Sequence, residues 1–419
     1  MIKRILSTIL LLFSLNLFSE EYGDDELHSN TNKINIPRRF FEIGATANVG
    51  ISNNYFSIDE ILVEELILDL KKIALELPSE GLSTCAVADS IFSIDFNSPD
   101  GVHIGVSAGL DFYYKGTISK ELFEFLGNGN KLNETQKFSG KAISDLFLYT
   151  NFTAGYDFNN HHIEFTQSLF APIIHGETYN MAAEFVNSPN GRIEALASAE
   201  AILYSSFDTK PVFENNSDFE QALNTMSNNF GYDITASIER KIFKTLQGAA
   251  YTRIPIVPGK LTKSTKVKMQ AKFEASSIFD IIMGNEEPES SFDFSNIIYG
   301  SSEYYLHRPF KLGAQVVWRP FGSWFTFNHL LGFAVRNPFS DNAEAFVEYN
   351  FGMEAILLHM IGFNLSTSYQ NQLFMHNIGL ILNFRVLEVD INAVFQGSNF
   401  EQSLKGSGFG CIIAAKVGF

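Results

Sequence analysis

Along most of the chain, large apolar side chains recur at every second position. "FKLGAQVVWR" puts Phe310, Leu312, Ala314, Val316 and Trp318 on one face and Lys311, Gly313, Gln315 and Arg319 on the other. A period of two is the signature of a β-strand, whose successive side chains point to opposite sides. After the turn "PFGS", a second strand carries Phe325, Phe327, Leu331, Phe333 and Val335 together. "NAEAFVEYNFGMEAILL" sets Glu344, Glu348, Asn350 and Glu354 opposite Ala345, Val347, Tyr349, Phe351 and Met353. In "LEVDINAVF", Leu387, Val389, Ile391, Ala393 and Phe395 alternate with Glu388, Asp390 and Asn392. The last strand repeats the pattern, with Phe409, Cys411, Ile413, Ala415, Val417 and Phe419 on its apolar face.

Charged side chains at consecutive inward positions do not fit a dry core, where an unpaired carboxylate costs many kcal/mol. They fit a wet lumen. Strands that face lipid must pair every backbone group internally and therefore close into a barrel. Alternation alone also suits a soluble sandwich with its apolar faces turned inward. The number of strands, a terminal aromatic and an export signal favour the closed antiparallel transmembrane β-barrel. Further strands are expected near 39–52, 90–98, 101–115, 145–158, 161–174, 191–207, 229–242, 246–256, 262–275, 296–306 and 361–369. The expected count is about 14, in a range of about 12–16. Tight reversals such as "RVLEV" belong at the inner end and long connections such as "QGSNFEQSLKGSG" outside. The "QNQ" reversal at Gln370 would be an unusually short outer connection.

One stretch breaks the period. "SIDEILVEELILDLKKIALELP" carries a capping box in Ser57 and Glu60. Its apolar positions Ile58, Ile61, Leu62, Leu66, Leu70, Ile73, Ala74 and Leu77 recur at helical spacing, and Pro78 follows. This predicts an amphipathic helix over 57–78, placed as a plug in the lumen or a periplasmic cap. Shorter helices are expected at "SKELFEFL", ending in Gly127, and at "SDFEQALNTM".

Composition narrows the class. Residues 1–19 read as a signal peptide: Lys3 and Arg4, the run "ILSTILLLFSLNLF", then Ser19. This leaves 20–419 as a single barrel domain. No later run approaches the length of a membrane helix. Yet the chain has 41 Phe and 30 Gly with only 18% charged residues, the expected composition of a bacterial outer-membrane barrel. A net charge of −17 excludes nucleic acid as a partner. Cys85 and Cys411 are too few for a disulfide framework and are read as free, buried thiols, or at most a disulfide of no functional weight.

Candidate chemistry is sparse. "GVSAG" matches the nucleophile elbow at Ser107, but "LDFYY" continues the strand where that motif needs a helix. His161 and His162, with Glu164, suggest a metal site. Adjacent residues of a strand point to opposite faces, so both cannot hold one ion, and solvated loop residues is the better reading. The acidic row of Glu344, Glu348, Glu354, Glu388 and Asp390 would line the lumen and could favour cations. Lys266, Lys268 and Lys272 could face it and lock the lumen with ion pairs. No metal, cofactor or catalysis is expected.

The segment "YNFGMEAILLHMIGFNLSTSYQNQLFMHNIGLILNFRVLEVDINAVFQG" and the closing "GFGCIIAAKVGF" resemble the long-chain fatty-acid transporter (FadL-like) group of outer-membrane barrels, in its divergent spirochaete-type form. The resemblance covers roughly the last 80 residues well. It implies a 14-stranded barrel with N-terminal material blocking the lumen, and passive uptake of hydrophobic compounds such as long-chain fatty acids that leave sideways through the wall. The family's Asn-Pro-Ala hatch motif is missing, so no ligand residue carries over. A ligand site is instead placed beside the helix, near Leu62, Leu66 and Leu70. Two other functions are open: a water-filled porin, and a structural or surface-interaction barrel. The partners expected are the lipid bilayer, a hydrophobic small molecule and the outer-membrane barrel assembly machinery.

Overall fold

The computed structural model describes residues 39–57, 69–129, 134–188, 192–209, 229–275, 289–340, 343–358, 360–370, 373–384 and 386–419. The signal peptide, the helix expected at 217–226 and most of the first helix, with Ile58, Glu60, Ile61, Leu62 and Leu66, lie outside them.

The first part of the chain forms β1 (Phe41–Asn53), α1 (Leu70–Glu76), β2 (Leu82–Asn97), β3 (Val102–Ile118), α2 (Lys120–Asn128), β4 (Gln136–Phe158), β5 (His161–Asn187) and β6 (Ile193–Ser205). It continues with β7 (Gly231–Phe243), β8 (Leu246–Val257), β9 (Gly259–Leu261), β10 (Lys263–Ala275), β11 (Glu289–Gly300) and β12 (Tyr304–Leu306). The last part holds β13 (Phe310–Trp318), β14 (Phe325–Arg336), β15 (Glu344–Leu357), β16 (Ile361–Gln370), β17 (Leu373–Asn383), β18 (Leu387–Gly397), α3 (Phe400–Leu404) and β19 (Gly408–Gly418).

The wall closes by antiparallel pairing alone. From β1 the ladder runs through β2, β3, β4, β5, β7 and β8. It continues through β13, β14, β15, β16, β17, β18 and β19. β19 then pairs back onto β1, from Glu42 opposite Gly418 to Ser52 opposite Gly408. Closure removes the free edge that a transmembrane sheet cannot leave unpaired.

Among the described residues the sheet holds 17 strands, more than the alternation predicts. The excess is β6, β10 and β11, which branch off the ring. β5 has 27 residues, roughly 90 Å at about 3.3 Å per residue, far more than a bilayer needs. Its first half pairs with β7, up to Phe170 opposite Gly231. Its second half pairs with β6, from Ile174 opposite Ser205. Between the two stands Pro172, which has no N–H to give to a ladder. The β4–β5 register also shifts there, between Leu146 and Phe147. β6 passes the branch on to β10, and β10 to β11. Lys266, Lys268 and Lys272 lie on this branch. Lys268 pairs with Glu200 at 2.8 Å and Lys272 with Glu274 at 2.7 Å. They therefore do not face the acidic row of the lumen, which corrects the expected lock.

The two ends of the barrel differ. At one, the reversals are short: Asn159 and Asn160 alone join β4 to β5, with Asn159 at a φ of 54°, a left-handed conformation that Asn tolerates well. At the other end lie the branch, the three helices of the described residues and the long connections, which identifies it as the outer end. There the β16–β17 connection is short, as expected: the strands end at Gln370 and resume at Leu373.

The helical segment between β1 and β2 therefore emerges outside. This corrects the periplasmic cap, and among the described residues no helix fills the lumen. α1 is capped by Asp69, whose carboxylate accepts from the Lys71 and Lys72 amides at 3.1 Å each. Ile73, Ala74 and Leu77 are buried, and Leu70 is half-buried. α1 packs on α2, which runs one residue past the expected Gly127. A Cβ at Gly127 would stand 2.5 Å from the Leu70 carbonyl oxygen, so the two helices meet backbone to backbone there.

Burial is inverted relative to a soluble protein. Leu331 is 56% exposed and Leu312 52%, whereas Asp233 and Glu239 are at 0% and Gln315 and Glu348 at 1%. Phe409, Ile413, Val417 and Phe419 of the closing strand are all exposed. An outer belt of this kind is far larger than a soluble monomer shows to water. It fits lipid outside and a hydrogen-bonded interior.

Candidate functional site

The interior wall is a connected polar network. Asn48 donates to Asp89 at 2.7 Å, and His175 meets Asp145 at 2.6 Å. Gln247 bridges Glu239 at 2.8 Å and Arg319 at 3.4 Å. Lys311 on β13 reaches over β14 to Glu348 on β15, with Nζ 3.3 Å from Oε1. Gly332 and Ala334, the inward residues of β14 at that level, leave room for the reach. Arg308 pairs with Asp233 at 3.1 Å and lies 4.6 Å over the Tyr149 ring.

Arg308 follows β12, which pairs with β9 in a small second sheet at the outer mouth. This ribbon packs against the lumen wall: Leu306 is buried among Phe147, Tyr149 and Phe170. Tyr304 stacks on His175 and on Tyr204, with ring centroids 4.5 Å apart in both cases.

Beside the ribbon, the outer half of the lumen holds a partly open cavity. Its charges are segregated. Asp89, Asp111 and Asp145 come from β2, β3 and β4, while Arg253, Lys311 and Arg336 come from β8, β13 and β14. Arg336 lies 4.1 Å over the Tyr113 ring and pairs with Glu344 at 3.6 Å. His307 borders the cavity from the loop before β13, and burial holds its imidazole below the ordinary pKa.

Part of the same lining is apolar, with Val87, Tyr113, Leu373 and Met375. Behind it Tyr113, Leu373 and Met375 pack with Cys85 and Val394 in a buried cluster, joined by Val87 and Ile412. These side chains face inward from β2, β3, β17, β18 and β19. An apolar patch inside a wet barrel is not needed to hold the wall, so it is the feature that most resembles a ligand surface.

The structure separates or joins the predicted residues as follows. Leu70 is on α1 at the outer end; Leu62 and Leu66 lie outside the described residues. Glu344, Glu348 and Glu354 share the inward face of β15, and Glu388 and Asp390 that of β18. They do not form one continuous row. Glu344 pairs with Arg336 near the mouth and Glu348 with Lys311, whereas Glu354, Glu388 and Asp390 lie toward the short-turn end. There Asn383 donates to Glu388 at 2.9 Å and Asn392 to Asp390 at 3.0 Å. Ser107 continues strand β3 and accepts from Asn151 at 3.1 Å, as its sequence context implies. Both cysteines are free; Cys85 is buried, but Cys411 is only half-buried, on the outer face.

The reading of His161, His162 and Glu164 as loop residues needs correction. All three belong to β5. His161 faces outward, but His162 and Glu164 are buried in the lumen. They meet His103 of β3, whose Nδ1 is 2.9 Å from Glu164 Oε2. The legible signal was His-x-Glu at period two. Its partner, 59 positions earlier by subtraction of 103 from 162, came into view only with the β3–β4–β5 register.

No family model matches the chain, and no curated relative does. Among solved structures, it is similar to the Pseudomonas putida toluene transporter TodX: TM-score 0.50, 9% identity, 96% of this chain and 95% of that one covered. The chain shares the outer-membrane barrel fold of that protein. Similarity to a FadL homologue of Pseudomonas aeruginosa is weaker, with TM-score 0.44 and 10% identity over 92% of this chain and 91% of that one. Its inverted burial and closed wall make this chain an outer-membrane barrel.

Proposed function

We propose that this barrel takes up or binds hydrophobic small molecules, without catalysis, and that its ligands are amphipathic, with a carboxylate end. The apolar patch of Val87, Leu373 and Met375 on the cavity of an otherwise polar lumen carries this reading. It offers apolar contact to an acyl chain, while Arg336 and Lys311 on the same cavity offer charge-assisted donors to a carboxylate. A long-chain fatty acid meets both requirements. Toluene, the cargo of the similar TodX barrel, meets the first requirement only.

The test is displacement of a fluorescent fatty acid from the detergent-purified protein. Met375→Asn removes an apolar contact worth about 1.5–3 kcal/mol and lowers affinity for fatty acid and toluene alike by about 10–100-fold. Arg336→Gln lowers affinity for the fatty acid by about 10-fold or more and leaves toluene unchanged. Equal effects of Arg336→Gln on both ligands would refute the carboxylate.

The segregated Asp and Arg/Lys walls favour a second reading, a pore for small polar solutes. Liposome swelling separates the two. Slow entry of small sugars supports the hydrophobic-ligand barrel, and rapid entry supports the pore.

A further inference from the structure

We infer that His103, His162 and Glu164 bind one divalent first-row transition-metal ion on the inner wall of the barrel, near its short-turn end. The three offer one ligand atom each, all within 4.8 Å of one another, and all three residues are buried. Glu164 Oε2 is 2.9 Å from His103 Nδ1 and 3.3 Å from His162 Nε2. A tetrahedral ion with bonds of about 2.0–2.1 Å holds its ligand atoms about 3.3–3.4 Å apart, so the donors need only small shifts to receive it.

The outer nitrogens are held in the manner of metal-binding histidines. Asp95 Oδ1 stands 3.1 Å from His103 Nε2, and Asp157 Oδ1 stands 2.7 Å from His162 Nδ1. Carboxylates on these nitrogens fix each ring's tautomer and aim its other nitrogen at the ion. The backbone makes room for this. In register, Gly155 of β4 lies between His103 of β3 and Glu164 of β5. A Cβ at Gly155 would sit 3.0 Å from His162 Cε1. The missing side chain lets the two rings lean over β4 toward the shared oxygen.

Charge points the same way. Two imidazoles stand among three carboxylates, two of the five side chains being at most 3% exposed. A divalent cation is attracted to a cluster this rich in carboxylates. Two nitrogens and one carboxylate oxygen suit zinc and its neighbours rather than magnesium or calcium, which prefer oxygen alone. The three ligands come from two strands of adjoining hairpins, so the ion would also tie β3 to β5 across β4. The inference rests on the wall and is independent of what the lumen conducts.

The test uses the full chain in detergent, stripped with a chelator and titrated with Zn²⁺ against a chromophoric competitor. The expected result is saturation at one ion per chain. His103→Asn, His162→Asn and Glu164→Gln abolish it, His161→Asn on the outward face keeps it, and Asp157→Asn weakens it by about 10–100-fold. Heat-modifiable migration on gels confirms that each variant is a folded barrel. Co²⁺ in place of Zn²⁺ gives the visible absorption of a four-coordinate site. Absence of stoichiometric binding to the stripped wild-type chain overturns the inference, as does unchanged binding in a folded His103→Asn or Glu164→Gln variant. Either result would leave the cluster a set of buried histidine–carboxylate contacts.

Discussion

Replacing Leu331 with arginine destabilises the barrel by about 2–4 kcal/mol. Leu331 sits near the middle of β14, opposite Tyr349 of β15, and is 56% exposed. In a soluble protein, a change at so open a position stays within about 0.5 kcal/mol of neutral. Here the side chain meets hydrocarbon, where a guanidinium has no partner and can reach water only by bending toward an interface. The same change at Leu387, the first residue of β18 at the short-turn end, costs only about 0–1 kcal/mol, because the interface is close. Both are read by equilibrium denaturant unfolding in phospholipid vesicles. If Leu331→Arg is as stable as the wild-type chain, the outer face does not meet lipid and the membrane assignment fails.

The second large effect belongs to the interior. Lys311→Met costs about 3–5 kcal/mol, because it leaves the carboxylate of Glu348 buried without its cation. The side chains of Lys311 and Glu348 are 6% and 1% exposed. Removing both charges in Lys311→Met/Glu348→Gln restores most of the loss, since the uncompensated charge rather than the ion pair carries the penalty. The Arg336–Glu344 pair is the contrast. Glu344 is half exposed at the mouth, and Glu344→Gln changes stability by less than about 1 kcal/mol. Equal costs at Glu344 and Lys311 would show that water reaches both levels of the lumen alike.

Together the two experiments separate the faces of one strand ladder. A charge is unwelcome at Leu331 because nothing there can pair it, and required at Lys311 because Glu348 is already inside. A single residue of register shift on β13 or β14 would exchange these roles. The small residues Gly332 and Ala334 add a further constraint, since a longer side chain at either would lie between Lys311 and Glu348.

Much of this was legible along the chain because a strand imposes a strict period of two. The faces of 310–319, 344–354, 387–395 and 409–419 follow from residue type alone, and with them the lipid belt and the inward position of Glu348 and Asp390. Closure followed from the rule that backbone groups in lipid must all be paired. Only the tertiary structure decided what depends on distance across strands. It moved the helical segment to the outer end and turned Lys266, Lys268 and Lys272 into a branch that leaves the ring at Pro172. It also set Lys311 against Glu348 and gathered Val87, Leu373 and Met375 into one patch. It brought His103 to His162 and Glu164 over the bare backbone of Gly155. Period tells a side chain which way to point; pairing register, which no local pattern encodes, determines what it meets there.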